Sequence, residues 1–171
     1  MTSPKTMRGA VLLGPENIEI QDVPIPEPGD GEILLGMEAA TTCGTDVKVF
    51  RRGGHPRMLK VPTLFGHEVA GRVAALGPGV ENFAEGDAVV VANSAPCLSC
   101  DPCRLGHENL CEDLHYLNGA FAEYLLVPAL RRVKHPRHPR RPVVCKGSVD
   151  RTLGLRAARH RCLRSAPVCW A

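Results

Sequence analysis

The sequence has few aromatic residues and no long apolar segment. Phe, Tyr and Trp make up 4% of the 171 residues, and the only Trp is Trp170. The first residues, MTSPKTMRG, contain no apolar run of the length of a secretion signal. No other stretch approaches the length of a membrane span. We therefore expect a cytoplasmic chain with no membrane partner.

Acidic residues are almost absent from the end of the chain. Residues 131–171 contain twelve of the 21 Lys and Arg residues but only Asp150 on the acidic side, a net charge of +11, whereas residues 1–130 carry −8. The same segment lacks Ile, Phe, Tyr, Met, Asn, Gln and Glu. Closely spaced prolines exclude a regular helix over residues 136–142. The composition predicts a folded domain over residues 1–130 and a disordered, basic, Arg/Pro-rich tail over residues 131–171.

Two interpretations of this tail remain open. Out-of-frame translation of a GC-rich gene yields the Arg, Pro, Ala, Cys and His that dominate it, so a frameshift explains the abrupt change. Alternatively, the tail is a selected basic arm that binds nucleic acid or an acidic partner. Aromatic residues are not interleaved with its basic residues apart from Trp170, which favours the frameshift over nucleic-acid binding.

The folded part is predicted to be mainly β. Residues 7–12 and 17–22 form a predicted hairpin around Gly14-Pro15-Glu16. Residues 32–41 alternate, so that Ile33, Leu35, Met37 and Ala39 share one face of a strand. Residues 45–50 suit a short helix. Further strands are predicted at 66–76, 87–91 and 120–127, and this element order indicates a barrel-like domain.

Four cysteines form the strongest motif in the chain. Their spacing is C-x2-C-x2-C-x7-C, and they are Cys97, Cys100, Cys103 and Cys111. Four thiolates can close a tetrahedral shell around Zn²⁺. Disulfides would need an oxidising compartment, and ferredoxin-type clusters have other spacings. The motif therefore predicts a structural zinc in a lobe over residues 92–113.

A second metal site is suggested by two segments, Thr42-Cys43-Gly-Thr-Asp46 and Gly66-His67-Glu68-Val-Ala-Gly71. A thiolate, an imidazole and a carboxylate could hold Zn²⁺ and leave one position open. From spacing alone, the alternatives stay open, because an isolated cysteine is often a small buried apolar residue and a His-Glu pair is often a surface feature.

Several motifs then follow in an order that resembles the zinc-dependent medium-chain alcohol dehydrogenases. They are Cys43-Gly-Thr-Asp46, Gly66-His67-Glu68, the four cysteines and Gly119-Ala-Phe-Ala-Glu-Tyr124. The resemblance covers residues 7–130 and is strongest to the polyol (sorbitol-like) and threonine dehydrogenase branches. It implies a GroES-like β-barrel catalytic domain that carries a small structural-zinc lobe.

The resemblance also implies roles for individual residues. Cys43 and His67 would bind a catalytic zinc, and Glu68 would be a ligand or a neighbour that exchanges with water. Asp46 would fix the tautomer of the His67 ring. Thr45 would pass on the proton of an alcohol or polyol substrate, whose hydride would go to NAD(P)⁺.

The dinucleotide-binding domain of such enzymes has no counterpart in the sequence. No G-x-G-x-x-G segment follows a strand and opens a helix. The chain is therefore interpreted as a truncated catalytic domain that is weakly active or inactive alone. Apolar surface that the second domain would cover predicts homo-oligomers or aggregation. The alternative function is a non-catalytic zinc scaffold whose basic tail binds nucleic acid or an acidic partner.

Overall fold

The structure, a computed structural model, describes residues 6–129 and 144–146. These residues form ten strands, two α-helices and one 3₁₀ helix. The strands are β1 (Thr6–Gly14), β2 (Asn17–Pro24), β3 (Glu32–Thr41), β4 (Thr63–Leu64), β5 (Glu68–Leu76), β6 (Ala88–Val91), β7 (Ser94–Ala95), β8 (His115–Tyr116), β9 (Tyr124–Pro128) and β10 (Val144–Lys146). The helices are α1 (Gly44–Arg52), α2 (Asp101–Arg104) and the 3₁₀ helix Glu108–Leu110.

The strands form three sheets whose described pairings are all antiparallel. Their strand orders are β2-β1-β4, β10-β6-β5-β3-β9 and β7-β8. The prediction of a mainly β domain with a small cysteine-bearing lobe is confirmed. The predicted hairpin is β1–β2, and the predicted strand over residues 32–41 is β3.

The core of the five-stranded sheet is apolar and almost fully shielded from solvent. Ile33, Leu35, Val89 and Val127 are each at most 1% exposed. The predicted alternation along β3 is interrupted, because the register shifts between Leu34 and Leu35 and Leu34 is buried together with its neighbours Ile33 and Leu35. A second bulge, between Met37 and Ala39, shifts the register of the β3–β5 ladder before its last pair, Thr41 and Glu68.

Two predicted strands begin later than expected. β5 begins at Glu68 rather than residue 66, because Gly66 has φ +88° and packs its α-carbon against the ring of Phe121, which leaves no room for a side chain. β9 begins at Tyr124 rather than residue 120. The preceding residues cross to the other sheet, where Phe121 pairs its backbone with Ala10 and Phe65.

One part of the basic tail lies among the described residues. Val144–Lys146 forms β10 and pairs with β6 along Val89–Val91. The remaining tail residues, and with them the predicted disorder, the frameshift and the partner-binding arm, lie outside the described residues. No helix in the described part of the chain is long and apolar enough to cross a membrane.

Candidate metal centres

Helix α1 positions the first candidate ligand. Cys43 is its N-cap, and the Cys43 Sγ accepts a hydrogen bond from the Thr45 amide at 3.3 Å. In return, Asp46 Oδ2 accepts from the Cys43 amide at 2.8 Å, which completes a capping box. Val49 of the same helix packs in a buried cluster with Leu12 and Phe65, so that α1 is anchored to β1. The sulfur is thus fixed at a helix N-terminus, where backbone N–H groups favour negative charge.

The residue before β5 brings the imidazole to this sulfur. His67 is 5% exposed, and its Nε2 lies 3.3 Å from Cys43 Sγ. A tetrahedral zinc with Zn–S of about 2.3 Å and Zn–N of about 2.0–2.1 Å would place these atoms about 3.6 Å apart. The observed separation is therefore close to that of two ligands of one ion.

The position of Asp46 indicates which tautomer the His67 ring adopts. Asp46 is 4% exposed, and its Oδ1 is a buried atom without a hydrogen-bond partner among the described residues. His67 Nδ1 lies 3.2 Å from this oxygen. A proton on Nδ1 would satisfy Oδ1 and leave Nε2 unprotonated, which is the tautomer that a metal requires. The buried oxygen and the donor set both fit a zinc ion.

Glu68 reaches the same side of the ring from the first position of β5. Its Oε1 lies 3.9 Å from His67 Nε2, and its side chain is 37% exposed. Ligand atoms of Cys43, Asp46 and His67 also lie within 4.8 Å of one another. Of the two carboxylates, Asp46 lies 3.2 Å from Nδ1, whereas Glu68 lies 3.9 Å from Nε2, the ring nitrogen that is also 3.3 Å from the sulfur, although Glu68 is outside the group whose atoms lie within 4.8 Å of one another. We therefore favour Cys43, His67 and Glu68 as the ligand set and Asp46 as the group that orients the ring.

Thr45 lies beside this set without contacting its nitrogen or carboxylate ligands through any described hydrogen bond. Its amide donates to Cys43 Sγ, and its side chain is half-buried in the first turn of α1. Its role in proton transfer remains a prediction. Lys48, one turn further along α1, is exposed.

The four cysteines of the lobe converge on a second centre. The sulfur atoms of Cys97, Cys100, Cys103 and Cys111 lie within 4.8 Å of one another. Backbone amides point toward the cluster, because the Cys97 amide donates to Cys111 Sγ at 3.2 Å and the Cys100 amide donates to Cys97 Sγ at 3.4 Å. The cluster could hold a zinc ion, as the spacing predicted.

The thiols of this cluster are in unlike environments. Hydrogen bonds from the hydroxyl and amide of Ser99 and the amide of Cys100 lower the pKa of Cys97 to about 6. Burial, followed by the neighbouring thiols Cys100 and Cys111, raises the pKa of Cys103 to about 12. Four adjacent negative charges are unfavourable without a cation, so metal binding must release the protons that remain.

Sequence reasoning missed Thr41. Its hydroxyl donates a hydrogen bond to Glu68 Oε2 at 2.5 Å, although the two residues are 27 positions apart.

Two open grooves lie away from the candidate centre. They have volumes of about 430 and 510 Å³, and their lining includes the residues of the Arg8–Glu123 and Arg72–Glu38 ion pairs but none of Cys43, His67 and Glu68.

Comparison with known proteins decides the family. Residues 29–137 match the alcohol dehydrogenase GroES-like domain. The chain belongs to this family. The resemblance to zinc-dependent medium-chain alcohol dehydrogenases is thereby confirmed, together with the predicted GroES-like fold.

Relatives of this GroES-like domain include two curated dehydrogenases. The chain is 38% identical over 124 residues to L-threonine 3-dehydrogenase of Pyrococcus horikoshii, a match that covers 70% of this chain and 36% of the relative. It is 34% identical over 130 residues to sorbitol dehydrogenase of Bacillus subtilis, covering 72% and 37%. The chain thus spans little more than a third of the length of these relatives.

A solved structure shows the same fold. The crystal structure of a putative zinc-binding dehydrogenase from Sinorhizobium meliloti 1021 bound to NADP matches with a TM-score of 0.67 and 35% sequence identity. The match covers 73% of this chain and 37% of that one.

Proposed function

We propose that this GroES-like domain is the metal-binding catalytic part of a zinc-dependent alcohol or polyol dehydrogenase that uses a nicotinamide cofactor. One observation carries the proposal. Cys43 Sγ and Glu68 Oε1 lie 3.3 and 3.9 Å from the same ring nitrogen, His67 Nε2, and the buried carboxylate of Asp46 lies 3.2 Å from the other ring nitrogen. A structural zinc site has four protein ligands and no open position. A catalytic zinc site has three protein ligands and leaves the fourth position open to solvent or substrate.

The residues of the site divide the work. Cys43, His67 and Glu68 would hold the zinc, which when bound supplies Lewis acidity toward a hydroxyl oxygen. Asp46 holds the proton on His67 Nδ1 and so keeps the other nitrogen free for the metal. Thr45, next to Cys43 at the start of α1, would accept the proton of the substrate hydroxyl and pass it toward solvent.

The hydride acceptor is NAD(P)⁺ in this proposal, and residues other than those of the described site would bind it. The described residues provide the groups for metal binding and proton transfer. We therefore propose that the chain by itself oxidises alcohols weakly or not at all. Assay of the purified chain with NAD⁺ and NADP⁺ and a panel of polyols and secondary alcohols tests this point, and clear turnover would refute it.

The relatives suggest the substrate class. L-Threonine and sorbitol both carry a secondary hydroxyl group beside other polar groups, and the relatives at 38% and 34% identity are named for these substrates. We propose a small secondary alcohol or polyol as the substrate of this domain.

Cobalt substitution tests the open coordination position directly. Co²⁺ replaces Zn²⁺ in N/S/O sites, and its visible absorption depends on the ligands. We expect sorbitol, L-threonine or a simple secondary alcohol to change the spectrum of the Co²⁺-loaded chain. His67→Ala should abolish this change, whereas His115→Ala, which alters an exposed histidine of β8, should retain it. A spectrum that responds to none of these compounds, or that responds equally in both variants, would contradict the proposal.

A further inference from the structure

Thr41 and Glu68 meet where two strands of the core sheet end and begin. Thr41 is the last residue of β3, Glu68 is the first residue of β5, and the two are direct partners in the β3–β5 ladder. The Thr41 hydroxyl donates to Glu68 Oε2 at 2.5 Å. This hydrogen bond joins a neutral donor to an ionised acceptor, the stronger kind of side-chain hydrogen bond.

The hydrogen bond fixes which way the carboxylate faces. With Oε2 engaged by Thr41, the other oxygen lies 3.9 Å from His67 Nε2. Two ligand atoms of a tetrahedral zinc, one nitrogen and one oxygen, are about 3.4 Å apart at bond lengths of about 2.1 Å. The observed separation between Oε1 and Nε2 is about half an ångström longer than this ligand-to-ligand distance, and Oε2 is the oxygen bonded to Thr41.

The Glu68 side chain would otherwise have freedom to leave. It is 37% exposed and has three rotatable torsions, so an unrestrained carboxylate would sample solvent-facing rotamers. Thr41 is a suitable restraint, because its β-branched side chain has few rotamers and its backbone is held by the ladder. Its neighbour Thr42 is also exposed and follows the strand, which makes it a matched control.

We propose that Thr41 is a positioning residue that holds Glu68 in place as a monodentate ligand of the metal at Cys43 and His67. It thereby strengthens metal binding at this site and limits how readily solvent replaces the carboxylate. The inference rests on the proposed function, since it requires a metal at that site. Groups that orient a ligand in this way typically contribute about 10- to 100-fold in metal affinity.

Cobalt titration of the full chain tests the role of Thr41, with visible absorption as the readout. Thr41→Val should weaken Co²⁺ binding at the Cys43–His67 site at least about tenfold and change its visible bands. Thr41→Ser, which keeps the hydroxyl, should restore both, and Thr42→Val should match the wild type. The lobe cysteines provide an internal check of folding, because their thiolate-to-cobalt absorption should be equal in all variants.

A double-mutant cycle separates positioning of Glu68 from a general effect on the fold. If Thr41 acts through Glu68, Thr41→Val should have no further effect on Co²⁺ affinity in a Glu68→Gln chain. Additive losses, or equal affinities in Thr41→Val and Thr42→Val, would overturn the inference while leaving the proposed function intact. If the wild type and His67→Ala bind the same number of Co²⁺ ions, both the proposed function and this inference are overturned.

Discussion

Asp46 and His67 are the buried polar residues of the described domain, and a proton on His67 Nδ1 would link them across the 3.2 Å to Asp46 Oδ1. The carboxylate already accepts the Cys43 amide with Oδ2, so its second oxygen can be satisfied only by a donor that comes from the ring side. A buried carboxylate oxygen without a donor costs about 1–3 kcal/mol or more. The same proton that removes this cost leaves Nε2 ready to bind a metal.

Asp46→Asn should weaken the Cys43–His67 site more than it disturbs the fold. Asparagine can still accept from the Cys43 amide, but its NH₂ group then faces Nδ1 and favours the tautomer that carries the proton on Nε2. We expect zinc affinity at this site to fall about 10- to 100-fold, measured by competition with a chromogenic chelator. Asp22→Asn, at an exposed position of β2, is the control. Equal affinities in the two variants would show that Asp46 does not orient the ring.

The residues of the site differ in how far the sequence reveals them. Cys43, Asp46 and His67 could be predicted because the order of their motifs resembles a known family, whereas their residue types and spacing alone left the alternatives open. Thr41 could not, because its contact with Glu68 depends on the register of β3 against β5, and two bulges shift that register. Local sequence carries no signal for a pairing that is set by packing over 27 residues.

Among the elements, α1 depends on how it ends as well as on how it begins. Its C-cap, Gly53, has φ +70°, and its amide donates to carbonyls of the last turn, including Val49 O at 2.9 Å. A β-carbon on Gly53 would collide with the backbone nitrogen of Pro15. The end of α1 and the β1–β2 turn are therefore packed against each other, which fixes the axis that presents Cys43.

Gly53→Ala should destabilise the domain by more than the about 1–2 kcal/mol that a left-handed conformation costs a residue with a β-carbon. The collision with Pro15 adds to this cost. Urea unfolding followed by circular dichroism measures the change. Gly14→Ala is the matched control, since nothing lies within 4 Å of the added β-carbon there and its φ is not positive. A similar midpoint for both variants would argue against this packing.

The lobe has little besides the metal to hold it. Its helix α2 has four residues, and from Cys97 to Cys111 the only buried apolar residue is Cys103. The five-stranded sheet, by contrast, has a continuous apolar core. The fold of the lobe should therefore depend on the ion.

Removal of zinc by a chelator should raise amide hydrogen exchange in residues 97–111 first. Exchange in β3 and β5 should remain slow under the same conditions, because their amides are paired within the core sheet. Mass spectrometry of peptides from both regions gives the comparison. Uniform acceleration across the domain, or none in the lobe, would contradict a metal-dependent lobe.

The first residues of the strands are predicted less well than the strands themselves. Sequence patterns predicted four of the five strands of the core sheet, β3, β5, β6 and β9, with alternation visible along β3. They did not predict β10. They misplaced the starts of β5 and β9, where Gly66 packs on Phe121 and where residues before Tyr124 pair with the other sheet. Those starts are decided by contacts between sheets and not by the local pattern.

For the whole molecule, exposed apolar side chains indicate where copies of the chain could associate. Leu105 and Leu110 of the lobe are 73% and 63% exposed, and Ile20 of β2 is 70% exposed. Two of these three exposed side chains belong to the lobe. We expect the chain to self-associate through the lobe.

Sedimentation velocity over a range of concentrations checks the association. The double variant Leu105→Ser, Leu110→Ser should reduce self-association. Burial of apolar surface in a contact stabilises it by about 25 cal/mol per Å², and the variant removes the apolar surface of both leucines. Ile20→Ser tests whether any exposed apolar residue has the same effect, and it should leave association unchanged. A wild-type chain that is monomeric at every concentration would refute the expectation.

The number of zinc ions bound per chain shows whether this one domain contains two metal centres of different kinds. Elemental analysis of the purified chain should give two zinc ions per chain, one for each ligand group. His67→Ala should lower the content to one, and Cys100→Ser with Cys103→Ser should also lower it to one by removing the other ion. A wild-type content of one that His67→Ala leaves unchanged would show that the Cys43–His67 site does not hold zinc, and would contradict the account.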